Sequence, residues 1–307
     1  MLVFLAQRLF AALITIWIAT IAVTLLIHLV PGDPVRIMFG GFQTTEAELE
    51  AIRTRLGLDQ PIWRQYLMFL GRLAEGDLGR SIVGNQPVLD ILLERLPATL
   101  ALTLASLAVA IVVGMGLGFL AAVKRGTWID STAMILAIVG VSMPHFWLGL
   151  LLLFLFSVTL GWLPVAGGDW RSLILPALTL GLATAAVLAR MTRSAMIDVL
   201  DQDFVRTARA KGLPGTLVLS RHVLRSGLVP ISAMLGMQFA YLMGGAIVVE
   251  NVFAWNGLGR LAIQAVLARD YPLIQGFILF FATIVALASV VIDLLYAVLD
   301  PRIRYAK

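Results

Sequence analysis

The chain has no cysteine, which excludes disulfide frameworks, thiolate metal sites and cysteine nucleophiles together. Histidine is nearly as scarce. His28, His145 and His222 stand apart from one another, none falls in an H-E-x-x-H pattern, and none has a nearby carboxylate to complete a metal site. Lysine is limited to Lys124, Lys211 and Lys307, and none lies in a G-x-x-x-x-G-K-[ST] context, so the chain carries no P-loop with which to bind ATP. No G-x-S-x-G elbow is present either, which argues against hydrolase chemistry of that kind. Charge is short overall, since 13% of residues are Asp, Glu, Lys or Arg against roughly 25% in soluble domains.

What fills the chain instead is hydrocarbon. Hydrophobic residues make up 60% of it, a composition that belongs in a bilayer. A helix crossing about 30 Å of hydrocarbon needs about 20 mostly apolar residues. Runs 9–32, 96–123, 131–168, 226–249 and 271–292 contain no Asp, Glu, Lys or Arg, and 172–189 continues as a helical pattern through Arg190 and Arg193, whose stems can snorkel to an interface. The expectation is an all-α polytopic membrane protein, a single domain over 1–307, with six spans at about 9–30, 97–123, 131–160, 173–197, 227–249 and 274–299. Run 131–168 is read as one helix interrupted only by Pro144, leaving through Trp162 and Pro164 at the interface. The first span is longer than a signal-peptide core and no A-x-A site precedes Pro31, so it is read as retained.

The basic residues lie between apolar runs rather than on one solvated face, so they speak for orientation and against nucleic acid. With both termini cytoplasmic, Arg8, Lys124, Arg125, Arg190, Arg193, the basic residues of 203–230, and Arg302, Arg304 and Lys307 all face inward, leaving only Arg171, Arg260 and Arg269 in short outer loops. Segment 31–95 is then extracytoplasmic. Within it Thr45 and Glu48 match a capping box ahead of Leu49, Ile52 and Leu56. After Pro61, residues Ile62, Phe69, Leu70 and Leu73 recur at helical spacing, so two amphipathic helices on the outer surface are expected, as a structural cap or a contact for an external partner.

Polar groups inside spans mark pathways, and here they are few: Gln238 and Asp293, with Gln264 and Gln275 near the outer boundary. So few titratable groups disfavour a proton-coupled carrier and place the energy source elsewhere. Small residues offer close helix packing in lipid. Gly114 and Gly118 form G-x-x-x-G in the second span and Gly236, Ala240 and Gly244 form a stripe in the fifth, both open to ordinary intramolecular packing or to a subunit or pore-lining role. Gly236, Gln238, Ala240 and Gly244 are therefore the candidate path residues.

The strongest charge anomaly is DFVRTARAKGLPGTLVLSRHVLRSGLVP at 203–230, within an expected cytoplasmic loop 198–226. Asp201 and Asp203 precede a short helical run, Phe204 to Lys211, stopped by Gly212 and Pro214, and a second run, Thr216 to Arg225, follows. Two short helices too small to fold alone suit docking to a partner.

FVRTARAKGL followed by RHVLRSGLVP resembles the coupling loop of ABC-importer permeases of the dipeptide, oligopeptide and nickel class. LVPGDPV (29–35), LGLDQP (56–61), GDLGRS (76–81), LPATL (96–100), ARMTRSAMIDVL (189–200), GLGRL (257–261), RDYP (269–272) and DPRIRY (300–305) match the same family in order along the whole chain. Against the general importer pattern E-A-A-x-x-x-G-x9-I-x-L-P, the chain keeps Ala208 and Gly212 and departs at Arg206, Thr207 and Arg225.

The resemblance implies a permease subunit in membrane lipid, paired as a heterodimer with a second homologous permease. Two cytoplasmic ATPases would carry ATP and magnesium, this chain would carry no cofactor, and an extracytoplasmic binding protein would deliver the solute. It implies that Phe204, Val205, Arg206, Thr207, Ala208, Arg209, Ala210, Lys211, Gly212 and Leu213 couple to an ATPase, and that 251–272 meets the delivery protein or plugs the outer mouth. Small peptides are the expected cargo, with glutathione, nickel chelates or another small solute as alternatives; a channel or carrier needing no ATPase is the rival class.

Overall fold

A computed structural model of the protein describes residues 2–29, 33–39 and 45–299. Regular structure among them is helical, apart from an isolated bridge between Arg80 and Pro87. Among the described residues five helices are long and apolar enough to cross a membrane unbroken: Leu5–Leu26, Val88–Val123, Trp170–Leu200, Met234–Val252 and Tyr271–Leu294. They supply the first, second, fourth, fifth and sixth spans.

The third span differs from the single helix expected. Helices Trp128–Ser142 and His145–Thr159 meet at 103°. A residue before proline is driven out of the α region, and Met143 accordingly lies at φ −81°, ψ 126°, with Pro144 itself extended at ψ 134°. Two successive non-helical residues turn the axis where one would only kink it. Pro144 also offers no N–H to the carbonyl of Gly140.

The described residues divide into two compact units, one of Ala98–Asn256 with Val291–Leu299, the other lying within Leu2–Pro97 and Gly257–Val290. In the first, the fourth span is the pillar: 72% of its most apolar window is buried, against 11–33% for the other four. Small residues make this possible. A Cβ on Gly114 would come within 2.6 Å of the Ala185 carbonyl oxygen, one on Gly118 would collide with the Ala189 carbonyl, and one on Gly181 would lie 2.8 Å from the Ser106 carbonyl. The G-x-x-x-G of the second span is thus an intramolecular contact with the fourth, which settles the alternative left open by sequence. A π-helical turn at Ala110–Met115 lies in the same stretch.

In the second unit, Thr45 caps helix Glu46–Leu56, and both reciprocal bonds of the capping box with Glu48 are present. The Thr45 backbone N–H on its carboxylate holds the Glu48 acid below the ordinary range. Leu49 is buried, whereas the side chains of Ile52 and Leu56 lie outside those described. Helix Ile62–Ala74 is tied to the first span, Tyr66 Oη to Thr20 Oγ1 at 3.1 Å and Gln65 Oε1 to His28 Nε2 at 3.1 Å. Phe69, Leu70 and Leu73 are half-buried, while Ile62, Trp63, Leu67 and Met68 stay exposed.

Candidate functional site

The basic stretch folds as the eight-residue helix Asp203–Ala210, with Asp203 in its first turn and Arg209 in its last, the charge order a helix dipole favours. It ends where the sequence signals a stop. Gly212 adopts φ +76°, a left-handed conformation that costs glycine nothing; the N–H of Leu213 reaches back to the Ala208 carbonyl, and Pro214 follows.

The helix has two faces. Val205 and Ala208, three residues apart on one side, are buried at 0% and 6% exposure. They join a core of Ala122 from the second span, Leu188, Met196 and Val199 from the fourth, and Val218, Val223 and Ile231 beyond the turn, with Leu213 packed against it. Phe204, Arg206, Thr207, Arg209, Ala210, Lys211 and Gly212 are exposed. The Arg206–Asp203 pair, 3.7 Å apart with both side chains solvated, contributes little and leaves the outer face cationic.

The second short helix expected at Thr216 to Arg225 is not separate. Gly215–Leu217, a π-helical turn Val218–Leu224 and Arg225–Val252 run on without a break, so this stretch is the leading end of the fifth span. Pro230 removes one hydrogen bond, which does not break a helix anchored by the buried Val218, Val223 and Ile231. Gly227 lets it lie on the fourth span, since a Cβ there would be 2.6 Å from Met196 Sδ.

Behind the basic helix sits a pair that the sequence conceals. Arg193 does not snorkel as its position in the sequence suggests. Its Nε and Nη2 donate to the two oxygens of Asp130 at 2.5 and 2.8 Å, and Asp130, 5% exposed, also accepts from the Gly126 N–H. Closer to solvent, Arg125 and Asp201 are 3.3 Å apart. The turn after the second span is therefore fastened to the fourth span at two points just before the basic helix begins. The sequence signal was Asp130 itself, placed at the edge of an uncharged run.

The candidate path residues share one helix but not one face. At about 100° per residue, Gly236, Ala240 and Gly244 step slowly around the fifth span, from half-buried to exposed. A Cβ on Gly244 would meet nothing within 4 Å. Gln238 lies about 200° from Gly236, half-buried, on another side. Other polar groups were missed because they adjoin or flank the apolar runs. Glu250, fully buried, accepts from Thr99 Oγ1 at 2.6 Å, and Trp255 Nε1 donates to the Ala98 carbonyl at 2.9 Å. In the other unit, Ser81 of GDLGRS donates to the buried Asp270 of RDYP, 189 residues away. Gln275 donates to the Val23 carbonyl and is a packing contact. The DPRIRY motif and the last basic residues lie outside the described residues.

Comparison with known proteins covers almost the whole chain. Residues 114–305 match the family described as binding-protein-dependent transport system inner membrane component, and residues 1–103 match the N-terminal model of such membrane components. The glutathione transport system permease protein GsiC of Escherichia coli (strain K12) is 46% identical over 306 residues, 99% of this chain and 100% of that protein. GsiC of Shigella dysenteriae serotype 1 (strain Sd197) gives the same figures. Among solved structures, the inward-facing MetNI methionine ABC transporter shares the fold at TM-score 0.56 and 20% identity, covering 69% of this chain and 97% of that one. An amino acid ABC transporter with histidines follows at 0.53 and 19%, covering 69% and 94%. With these matches and its apolar helices, the chain belongs to the binding-protein-dependent inner membrane components: it is a multi-pass bacterial inner-membrane permease subunit of an ABC importer, a transport component whose ATPase and binding-protein partners are separate chains.

Proposed function

We propose that this permease moves small peptides of the glutathione class into the cell, and that it does so as one half of a heterodimer whose path lies between the two permeases. The names of its 46%-identical relatives support the cargo. Two ATPases bind ATP and magnesium on the inner side, where both termini of this chain and loop 198–226 lie. Segment 31–95 and loop 251–272 face the binding protein outside.

The observation that carries the coupling role is the two-faced helix Asp203–Ala210. Val205 and Ala208 lock it into the core shared by the second, fourth and fifth spans, so a push on its outer face moves those spans rather than the helix alone. Phe204, Arg206, Thr207, Arg209, Ala210 and Lys211 present that outer face to an ATPase, Gly212 closes the helix, and Leu213 helps seat it. The fifth-span residues Gly236, Ala240 and Gly244 line the path, with Gln238 beside it. A binding protein selects the solute, which fits a path with few polar groups of its own.

The test separates the two faces. Co-expressed with its partner subunits and pulled down from detergent, a chain carrying Arg206→Glu and Lys211→Glu should lose most ATPase association while keeping its own thermal stability. Ala208→Glu should lose both, because a carboxylate cannot be buried there without a partner. Full ATPase association by the outer-face variant, in a chain that still transports, would remove the coupling role.

A further inference from the structure

We propose that His145 and Tyr241 form a substrate-contacting pair in the path, giving one hydrogen bond to a carbonyl or carboxylate oxygen of the passing peptide. The proposal rests on the peptide-import function above and adds the residues that touch the cargo. His145 opens the second half of the broken third span, directly after Pro144. Its Nε2 lies 3.3 Å from Tyr241 Oη, and its Nδ1 has no partner among the described residues.

Proton counting makes the pair informative. If the Tyr241 hydroxyl donates to Nε2, the imidazole keeps an unspent N–H at Nδ1. If Nε2–H donates to the phenol, the phenol keeps an unspent O–H. Nδ1 is buried out of reach, so the donor available to the cargo is the O–H of the exposed Tyr241, set free when Nε2–H donates to the phenol.

Its depth makes that donor costly. Tyr241 is two residues from Met243, the midpoint of the apolar stretch Met234–Val252, which is about 3 Å of rise. An unsatisfied donor at that depth against lipid costs several kcal/mol. Yet Tyr241 is 58% exposed, in a stripe with Met237 at 75% and Val248 at 46%, and Gly244 beside them leaves open space. At about 100° per residue these four fall within about 60° of one another. Beside the break, Ser142, Met143, Pro144 and Trp147 border an open cleft of about 470 Å³. A polar pair facing out of an apolar helix at mid-depth fits a wetted path, and a peptide, rich in acceptor oxygens, takes the spare donor.

The absence of native cysteine makes the test direct. In the complete importer reconstituted in liposomes, a Tyr241→Cys variant should be labelled by a charged thiol reagent, detected by the mass of this chain, and glutathione should slow the labelling. Tyr241→Phe, which removes the exposed O–H, should lower kcat/KM for glutathione transport about 3- to 10-fold, mainly through KM, as loss of one hydrogen bond predicts. His145→Phe, which leaves that O–H without its holding partner, should have a smaller effect in the same direction. The double variant should be at least as impaired as Tyr241→Phe, because it also removes the Nε2–H that Tyr241→Phe leaves unspent. Failure of the Tyr241→Cys variant to label in an active importer, or wild-type KM in the double phenylalanine variant, would overturn the proposal. If the wild-type importer moves no glutathione or other small peptide, the import function itself has failed and the pair's role falls with it; wild-type transport with unchanged variants removes the pair alone.

Discussion

The second and fifth spans carry the same small-residue spacing and meet opposite fates. Gly114 and Gly118 are closed over by the fourth span, whose backbone carbonyls occupy the space a side chain would need. Gly244, at the end of the Gly236–Ala240–Gly244 stripe, faces open space. A glycine stripe is thus permission for close approach, and whether the approach happens within the chain depends on which helix lies alongside. The fourth span is the one that closes, because its own alanines and Gly181 return the fit. The open end of the stripe at Gly244 is, in the proposed function, where the second permease and the cargo between them come close.

The contrast can be broken most forcefully at Gly118. Gly118→Leu should cost upwards of about 3 kcal/mol by overpacking, seen as loss of folded chain in detergent or a much lower unfolding temperature. A smaller loss is expected from the other fastening of the fourth span. Asp130→Asn leaves Arg193 without its carboxylate and should cost about 2 kcal/mol, less than a fully buried pair because Arg193 is 28% exposed. On the open side, Gly244→Leu should change stability by less than about 0.5 kcal/mol yet sharply reduce transport by the complete importer. A large loss of stability there would mean that the stripe is packed rather than open.

The smallest effect belongs to the capping box, remote from both stripes. Glu48 is more acidic folded than unfolded. Its contribution is therefore present above the unfolded value near 4.5 and is lost as pH falls through the lower folded value. Glu48→Gln, which removes the titrating group, should flatten that part of the acid unfolding profile without altering transport at neutral pH.

Much of this was legible in advance wherever the cause is local. The capping box, the helix ending at Gly212 and the apolar runs each depend on neighbours within a few residues, and each is found where the sequence indicates. The third span was half legible. Pro144 marked the place, but the 103° turn needed Met143 to leave the helix as well. The second run of the basic stretch was set apart from the fifth span because Arg221, His222 and Arg225 interrupt the apolar pattern, while burial of Val218, Val223 and Ile231 makes it one helix with that span.

The candidate site divides the same way. Its cationic composition and its boundaries could be read from residues 203–213. That Val205 and Ala208 share a face follows from their spacing of three residues, but that this face meets a core built from the second, fourth and fifth spans could not be read there. Asp130 with Arg193, 63 residues apart, and Ser81 with Asp270, 189 apart, left no local trace of their pairing.

The sequence alone determined the class of protein, because hydrocarbon accepts only backbone that satisfies itself, and it determined that no P-loop motif is present. Tertiary structure decided which glycines are filled, which charges are paired and which face of the basic helix is free. Those outcomes depend on atoms brought together from distant parts of the chain, and a one-dimensional pattern holds no record of who the neighbour is.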